Sequence, residues 1–130
     1  MSTYAAVTWQ IKPGSEAQVD EIFRNFKRAA STVLRNAAGF EVGRLLGTAV
    51  FRKDTTIVRV IQFDGELADV MRHMAAQEGV QRLEHEISQY LVEERATGSA
   101  EGFASFFQRS QMQSIVQFTV PAEAAAAGRA

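Results

Sequence analysis

The sequence predicts an α+β domain, an antiparallel sheet of four strands with its helices gathered on one face. Three observations lead there. Glu41–Gly65, EVGRLLGTAVFRKDTTIVRVIQFDG, holds two β-rich runs joined by the polar turn Arg52–Lys53–Asp54–Thr55, which is the pattern of a hairpin. On both sides of it apolar residues recur at helical spacing. Short alternating runs stand near both ends of the chain, so strands bracket the helices. At 130 residues without cysteine, one domain is expected, large enough to need no disulfide.

Tyr4–Ile11 sets Ala5, Val7, Trp9 and Ile11 on one face against Tyr4, Thr8 and Gln10 on the other, a first strand. Lys12–Pro13–Gly14 ends it as a turn. Ser15 with Gln18 forms a capping box. It opens a helix over Ser15–Ser31, with Val19, Ile22, Phe23, Phe26 and Ala30 on its apolar face. Periodicity is lost over Thr32–Phe40, and Asn36–Ala37–Ala38–Gly39 reads as a loop. Gly39, Gly43 and Gly47 recur every fourth residue, either as turn glycines with a bulge or as points of close backbone approach.

The second strand runs over roughly Gly43–Arg52 and the third over Thr56–Phe63. Asp64 is placed to cap a helix carrying Leu67, Val70, Met71 and Met74, and Gly79 interrupts that helix. A further segment repeats Val80, Leu83, Ile87 and Leu91. After the loop Arg95–Glu101, Phe103, Phe106 and Phe107 make a short apolar helix face. Met112, Ser114, Val116, Phe118 and Val120 then alternate with Gln113, Gln117 and Thr119, a fourth strand. Residues 1–120 are expected to form the domain, with a disordered tail at 121–130.

The order β-α-β-β-α-(α)-β is the ferredoxin-like arrangement. Its open sheet face would carry Leu46, Val50, Val58 and Val60, an apolar patch that demands a partner. Two copies pairing face to face as a dimeric α/β barrel would cover it, so a homodimer is expected.

Composition narrows the function. A net charge of −1 with both signs interspersed leaves no basic stripe to track phosphates, so no nucleic-acid partner is expected. The N-terminus MSTYAAVTWQIK lacks the features of a signal peptide, and the apolar runs are too short for a membrane span. A cytoplasmic location is the expectation. Neither a G-x-S-x-G elbow nor a G-x-G-x-x-G fingerprint occurs, so chemistry without a cofactor is expected. Glu84–His85–Glu86 reads as solvated surface, because adjacent helical residues point about 100° apart and cannot share one ion. No metal site is expected.

Candidate chemistry falls on a few side chains. His73, beside the Val70 and Met74 face, titrates near neutrality and suits proton removal from a poly-β-ketone or phenol. Its alternative is a boundary histidine bonded to backbone. Arg44, Arg52 and Arg59 lie in or beside strands, where a charge needs a partner or a wet cavity. Arg59 shares its face with Ile57, Ile61 and Phe63. Such a guanidinium either holds an enolate or phenolate oxygen or pairs with a helix carboxylate such as Glu21 or Asp69. Trp9, Gln62, Tyr90, Phe103, Phe106 and Phe107 are candidates to line a cavity for a flat ligand, or to fill the core.

VGRLLGTAVF (Val42–Phe51), IVRVIQFDGEL (Ile57–Leu67), VMRHMAAQEGV (Val70–Val80) and EGFASFF (Glu101–Phe107) followed by Met112 together resemble the SchA/CurD-like family over most of Tyr4–Val120. The most specific piece is GRLLGTAVF. Members belong to actinomycete gene clusters for aromatic polyketides, notably spore pigments. They are related in fold to dimeric α/β-barrel polyketide cyclases and cofactor-free monooxygenases. Some relatives carry a second barrel domain, and this chain has room for one.

The resemblance implies work on an aromatic polyketide intermediate and carries over no catalytic motif. Three roles follow from it. The first is a cyclase or aromatase in which His73 moves a proton and Arg59 steadies an enolate, with Trp9, Arg44, Gln62, Tyr90 and Phe106 around the substrate. The second is a monooxygenase whose substrate carbanion itself reduces oxygen. The third is a non-catalytic partner of polyketide synthase components.

Overall fold

A hairpin of two long strands is the centre of the structure, a computed structural model that describes residues 2–26, 32–93, 100–118 and 120. In chain order the elements are β1 (Ser2–Gln10), α1 (Glu16–Arg24), β2 (Val33–Arg35), β3 (Glu41–Lys53), β4 (Thr56–Asp64), α2 (Leu67–Ala76), α3 (Glu78–Ser88) and α4 (Ala100–Ser110). The strands form one antiparallel sheet in the order β1-β4-β3-β2. The turn between β3 and β4 closes at Asp54, whose φ of 52° is in the left-handed region that aspartate tolerates better than most residues.

Alternation fixes the faces of the sheet. In β4, Ile57, Arg59, Ile61 and Phe63 are buried toward the helices, while Val58, Val60 and Gln62 face outward. Val7 stands opposite Arg59 and Trp9 opposite Ile57, so β1 buries the predicted face. The helices add Val19 from α1, Val70 and Met74 from α2, and Val80, Leu83 and Ile87 from α3. Phe106 and Phe107 of α4 complete the core. At roughly 1.5–3 kcal/mol for each such side chain removed from water, this layer is what holds helices to sheet.

Several local readings are corrected. Ser15 does cap α1 by position, yet its hydroxyl donates to the Lys12 carbonyl at 2.6 Å instead of serving the helix, so no capping box forms. Helix α1 is assigned only as far as Arg24, and residues 27–31, with Ala30, lie outside the described part. The N-cap of α2 is Glu66, since Asp64 is still the last residue of β4. The break between α2 and α3 falls at Gln77, which is extended at φ −81°, ψ 123°, and Gly79 lies inside α3. The loop 95–101 and the tail 121–130 are largely or wholly outside the described residues.

Two strand assignments change. The stretch read as patternless contains β2, a short edge strand on β3. Residues 112–118, read as the fourth strand, form no strand. Gln111 makes an isolated bridge with Val7, and Met112 donates its N–H to the Ala6 carbonyl at 2.7 Å. Five residues further on, the Gln117 side chain both accepts from the Tyr4 N–H and donates to the Tyr4 carbonyl, each at 2.7 Å. The segment is thus tied to the free edge of β1 at Gln111–Met112 and again at Gln117.

A bulge in β3 sets the remaining register. Leu45 opposes Phe63 and Gly47 opposes Gln62, so Leu46 is the extra residue, and parity inverts across it. Arg44, before the bulge, shares the outer face with Asp64. Thr48 and Val50, after it, stand on the helix side opposite Ile61 and Arg59. Val50 therefore leaves the outer face to which simple alternation assigns it. Of the three spaced glycines, Gly43 is a close-approach site, where a Cβ would overlap the Asp64 carbonyl oxygen. Gly39, at φ 86°, is a turn residue.

Candidate functional site

The inverted register opens a cavity of about 380 Å³ between sheet and helices, with Phe26, Leu45, Thr48, Arg59, Met74 and Val80 in its wall. Most of the lining is apolar. Its charged member is Arg59, only 6% exposed. The Arg59 Nε donates to the Thr48 hydroxyl at 3.3 Å, and its guanidinium carbon lies 5.4 Å from the centre of the Phe26 ring, within range of a cation–π contact. Thr48 in turn donates to the Val60 carbonyl at 3.1 Å. The hydroxyl and the ring thus hold the guanidinium against the cavity.

Beside Arg59 is a second, very small space lined by Val7, Trp9, Glu84, Phe106 and Phe107, with Arg59, Ile61 and Met74 common to both. Glu84 is 4% exposed. Burial pulls the Arg59 guanidinium below the ordinary arginine range, and the Glu84 carboxylate opposes that pull. A guanidinium still stays charged under such a shift. Its neighbouring acid is therefore Glu84, and neither Glu21 nor Asp69. Glu21 accepts from Asn25, and Asp69 pairs with Arg72 at 3.0 Å.

The predicted site residues divide into two groups. Arg59, Trp9 and Phe106 come together around these two spaces, and Trp9 also stacks on Phe23 with ring centres 6.0 Å apart. The others stand apart. Gln62 is on the outward face of β4, opposite in parity to Arg59. Arg44 is exposed on the outer face and bonded to Glu41 at 3.2 Å. Tyr90 packs at the edge of the core, its carbonyl accepting from the Lys12 N–H. His73, half-buried on α2, is not in the cavity wall although its neighbour Met74 is. His85 and Glu86 are exposed as expected.

Glu84 is the residue that reading the sequence missed. The signal was present, since Val80, Leu83, Glu84 and Ile87 stand at i, i+3, i+4 and i+7, the positions of one buried helical face.

A second cavity of about 350 Å³ lies near Asp20 and Arg52. There the cation is already engaged, because Arg52 donates through Nε and Nη2 to both Asp20 oxygens at 2.6 and 2.7 Å. The Arg59 cavity, apolar with one buried cation in its wall, is the better place for a ligand.

Fold and cavity together define the class: a ferredoxin-like α+β domain with a ligand-sized apolar pocket beneath its helices. The chain belongs to the SchA/CurD like domain family, whose pattern matches residues 2–120. Similar proteins include the 42.8 kDa protein in the whiE locus of Streptomyces coelicolor, 29% identical over 116 residues that make up 89% of this chain and 28% of that one. Polyketide synthase CurD of Streptomyces cyaneus is 28% identical over 113 residues, 87% of this chain and 29% of that protein. The chain thus spans less than a third of the length of these curated relatives. Tetracenomycin F2 cyclase from Streptomyces glaucescens, described as a type-II polyketide cyclase, superposes with a TM-score of 0.53. The match covers 92% of this chain and 99% of that one at 16% identity. At that identity the likeness is one of fold.

Proposed function

We propose that this chain is a cyclase-type protein of aromatic polyketide biosynthesis, binding a poly-β-ketone or phenolic intermediate in the Arg59 cavity. One observation carries the reading: a buried guanidinium, held by Thr48 and Phe26, in the wall of an otherwise largely apolar pocket. The family supports the pathway, and the fold it shares with a protein described as a polyketide cyclase supports the reaction type. In an intramolecular aldol closure, an α-carbon between two ketones loses its proton. The enolate carbon then bonds to a ketone carbon further along the same chain, the resulting alkoxide is protonated, and water leaves as the ring aromatises. The apolar wall would bend the chain so that the two carbons meet, a contribution of position. Arg59 would donate to the enolate oxygen as its charge grows. This reading gives His73 no direct role.

The same reading takes the protein as a homodimer. Tyr4 and Phe51 are exposed on the outer sheet face, and Ile115, Val116 and Phe118 are exposed at 95%, 73% and 77% along the segment after α4. Apolar side chains in that number need a cover, and a second copy supplies one by two-fold symmetry.

The test compares the products of the pathway made with and without the protein, read by mass and ring pattern. A new ring pattern at unchanged mass, or with loss of water (~18 Da), supports the cyclase. A gain of ~16 Da per oxygen atom would replace it with the monooxygenase, and a change in yield alone with a non-catalytic helper.

A further inference from the structure

Arg59 and Glu84 are the buried charged side chains among the described residues, and both line the same small space. Only Arg59 reaches the larger cavity. The acid therefore stands behind the cation as seen by a ligand. Around the pair, Val7, Trp9 and Ile61 come from the sheet, Met74 from α2, and Phe106 and Phe107 from α4. No other titratable side chain among the described residues lines either space. Asp20, Asp69 and Glu93 are engaged elsewhere, with Arg52, Arg72 and Arg109.

The chemistry of such a pair bears on what the pocket binds. A lone buried guanidinium would favour any anion over its neutral form, and would hold a phenolate product tightly. With a fixed carboxylate behind it the pair is neutral at rest. The pocket then admits an uncharged keto or enol ligand and holds an anionic product less tightly, while the guanidinium still donates to the oxygen on which charge develops. We propose that Glu84 is a positioning residue of this site, the counter-charge that holds Arg59 at the cavity wall and restrains the pocket's preference for anionic over neutral ligands. This rests on the reading that Arg59 meets the ligand oxygen.

A monohydroxyanthraquinone is a suitable probe, because it is flat and its visible absorbance changes when the phenol ionises. Its ionisation is titrated while bound to the wild type, Glu84→Gln and Arg59→Met. Removing the carboxylate should lower the pH at which the bound probe ionises by about one unit or more, since the cation is then unopposed. Removing the cation should raise it. A role for Glu84 in packing alone would leave the bound probe's ionisation where it is in the wild type, and that result overturns the proposal while the pocket reading stands. Failure of the wild type to bind the probe overturns both. If Glu84→Gln does not fold, Glu84→Met is compared with Arg59→Met/Glu84→Met. A double variant more stable than the single supports a coupled pair, and additive losses overturn it.

Discussion

Arg59 is expensive where it stands, because a buried cation forfeits its hydration. Thr48 and Phe26 hold it there, and Glu84 lines the small space beside it. If it donates to a developing enolate, Arg59→Met should lower the rate of ring closure on the order of 10²-fold, while circular dichroism shows the fold kept. His73→Ala should leave that rate within about twofold, since His73 is not in the cavity wall. A larger loss for His73→Ala would return the histidine to the mechanism. On the far edge, Arg52 holds the Asp20 carboxyl below the usual carboxylate range, through a hydrogen bond first and charge second. Because the folded value is depressed, the stability from this pair is present above the unfolded value near 3.9 and is lost as pH falls below it. Urea midpoints at pH 7 and pH 3 should therefore differ less in Asp20→Asn than in the wild type. Arg59 was legible as a buried charge because its strand neighbours of like parity are apolar. Glu84 was equally legible by helical phase and was misread because its neighbours His85 and Glu86 are charged surface.

At the scale of elements, close approach between β3 and the end of β4 depends on Gly43. A methyl group there meets the Asp64 carbonyl, which is backbone and cannot turn away. Gly43→Ala should cost about 1–3 kcal/mol, seen as a lower urea midpoint. An unchanged midpoint would mean that the strand ends move apart freely. Alternation identified β1, β3 and β4 and the faces of β1 and β4. It misplaced Val50, because the inserted Leu46 inverts parity partway along β3, and a period-2 pattern carries no mark of an inversion. It also made a strand of residues 112–120. A strand is defined by its ladder, and among the described residues this segment's backbone bond to β1 is at its start, with the Gln117 amide standing in for the backbone at Tyr4.

At the scale of the molecule, one sheet face is covered by helices and the other carries exposed apolar side chains. No helix among the described residues is long and apolar enough to cross a membrane. The homodimer reading predicts a solution mass of twice the chain, measured by light scattering after gel filtration. Ile115→Asp with Phe118→Asp should shift it toward one chain, because charges buried in an apolar interface are costly. A wild type that runs as a single chain would end the dimer reading.

By itself the sequence determined which segments are strands and helices in the hairpin and the helical layer, and which side chains along most of them are buried. Those properties follow from periods of 2 and 3.6 that covalent geometry imposes on any stretch of chain. Tertiary structure alone decided that Arg59 of β4 lines one small space with Glu84 of α3, that Thr48 comes to the helix side, and that residues 112–118 form no strand. Each of these is a pairing between residues distant in the chain, or a register shift set by such a pairing. Local periodicity specifies a face, but not the partner that the face will meet.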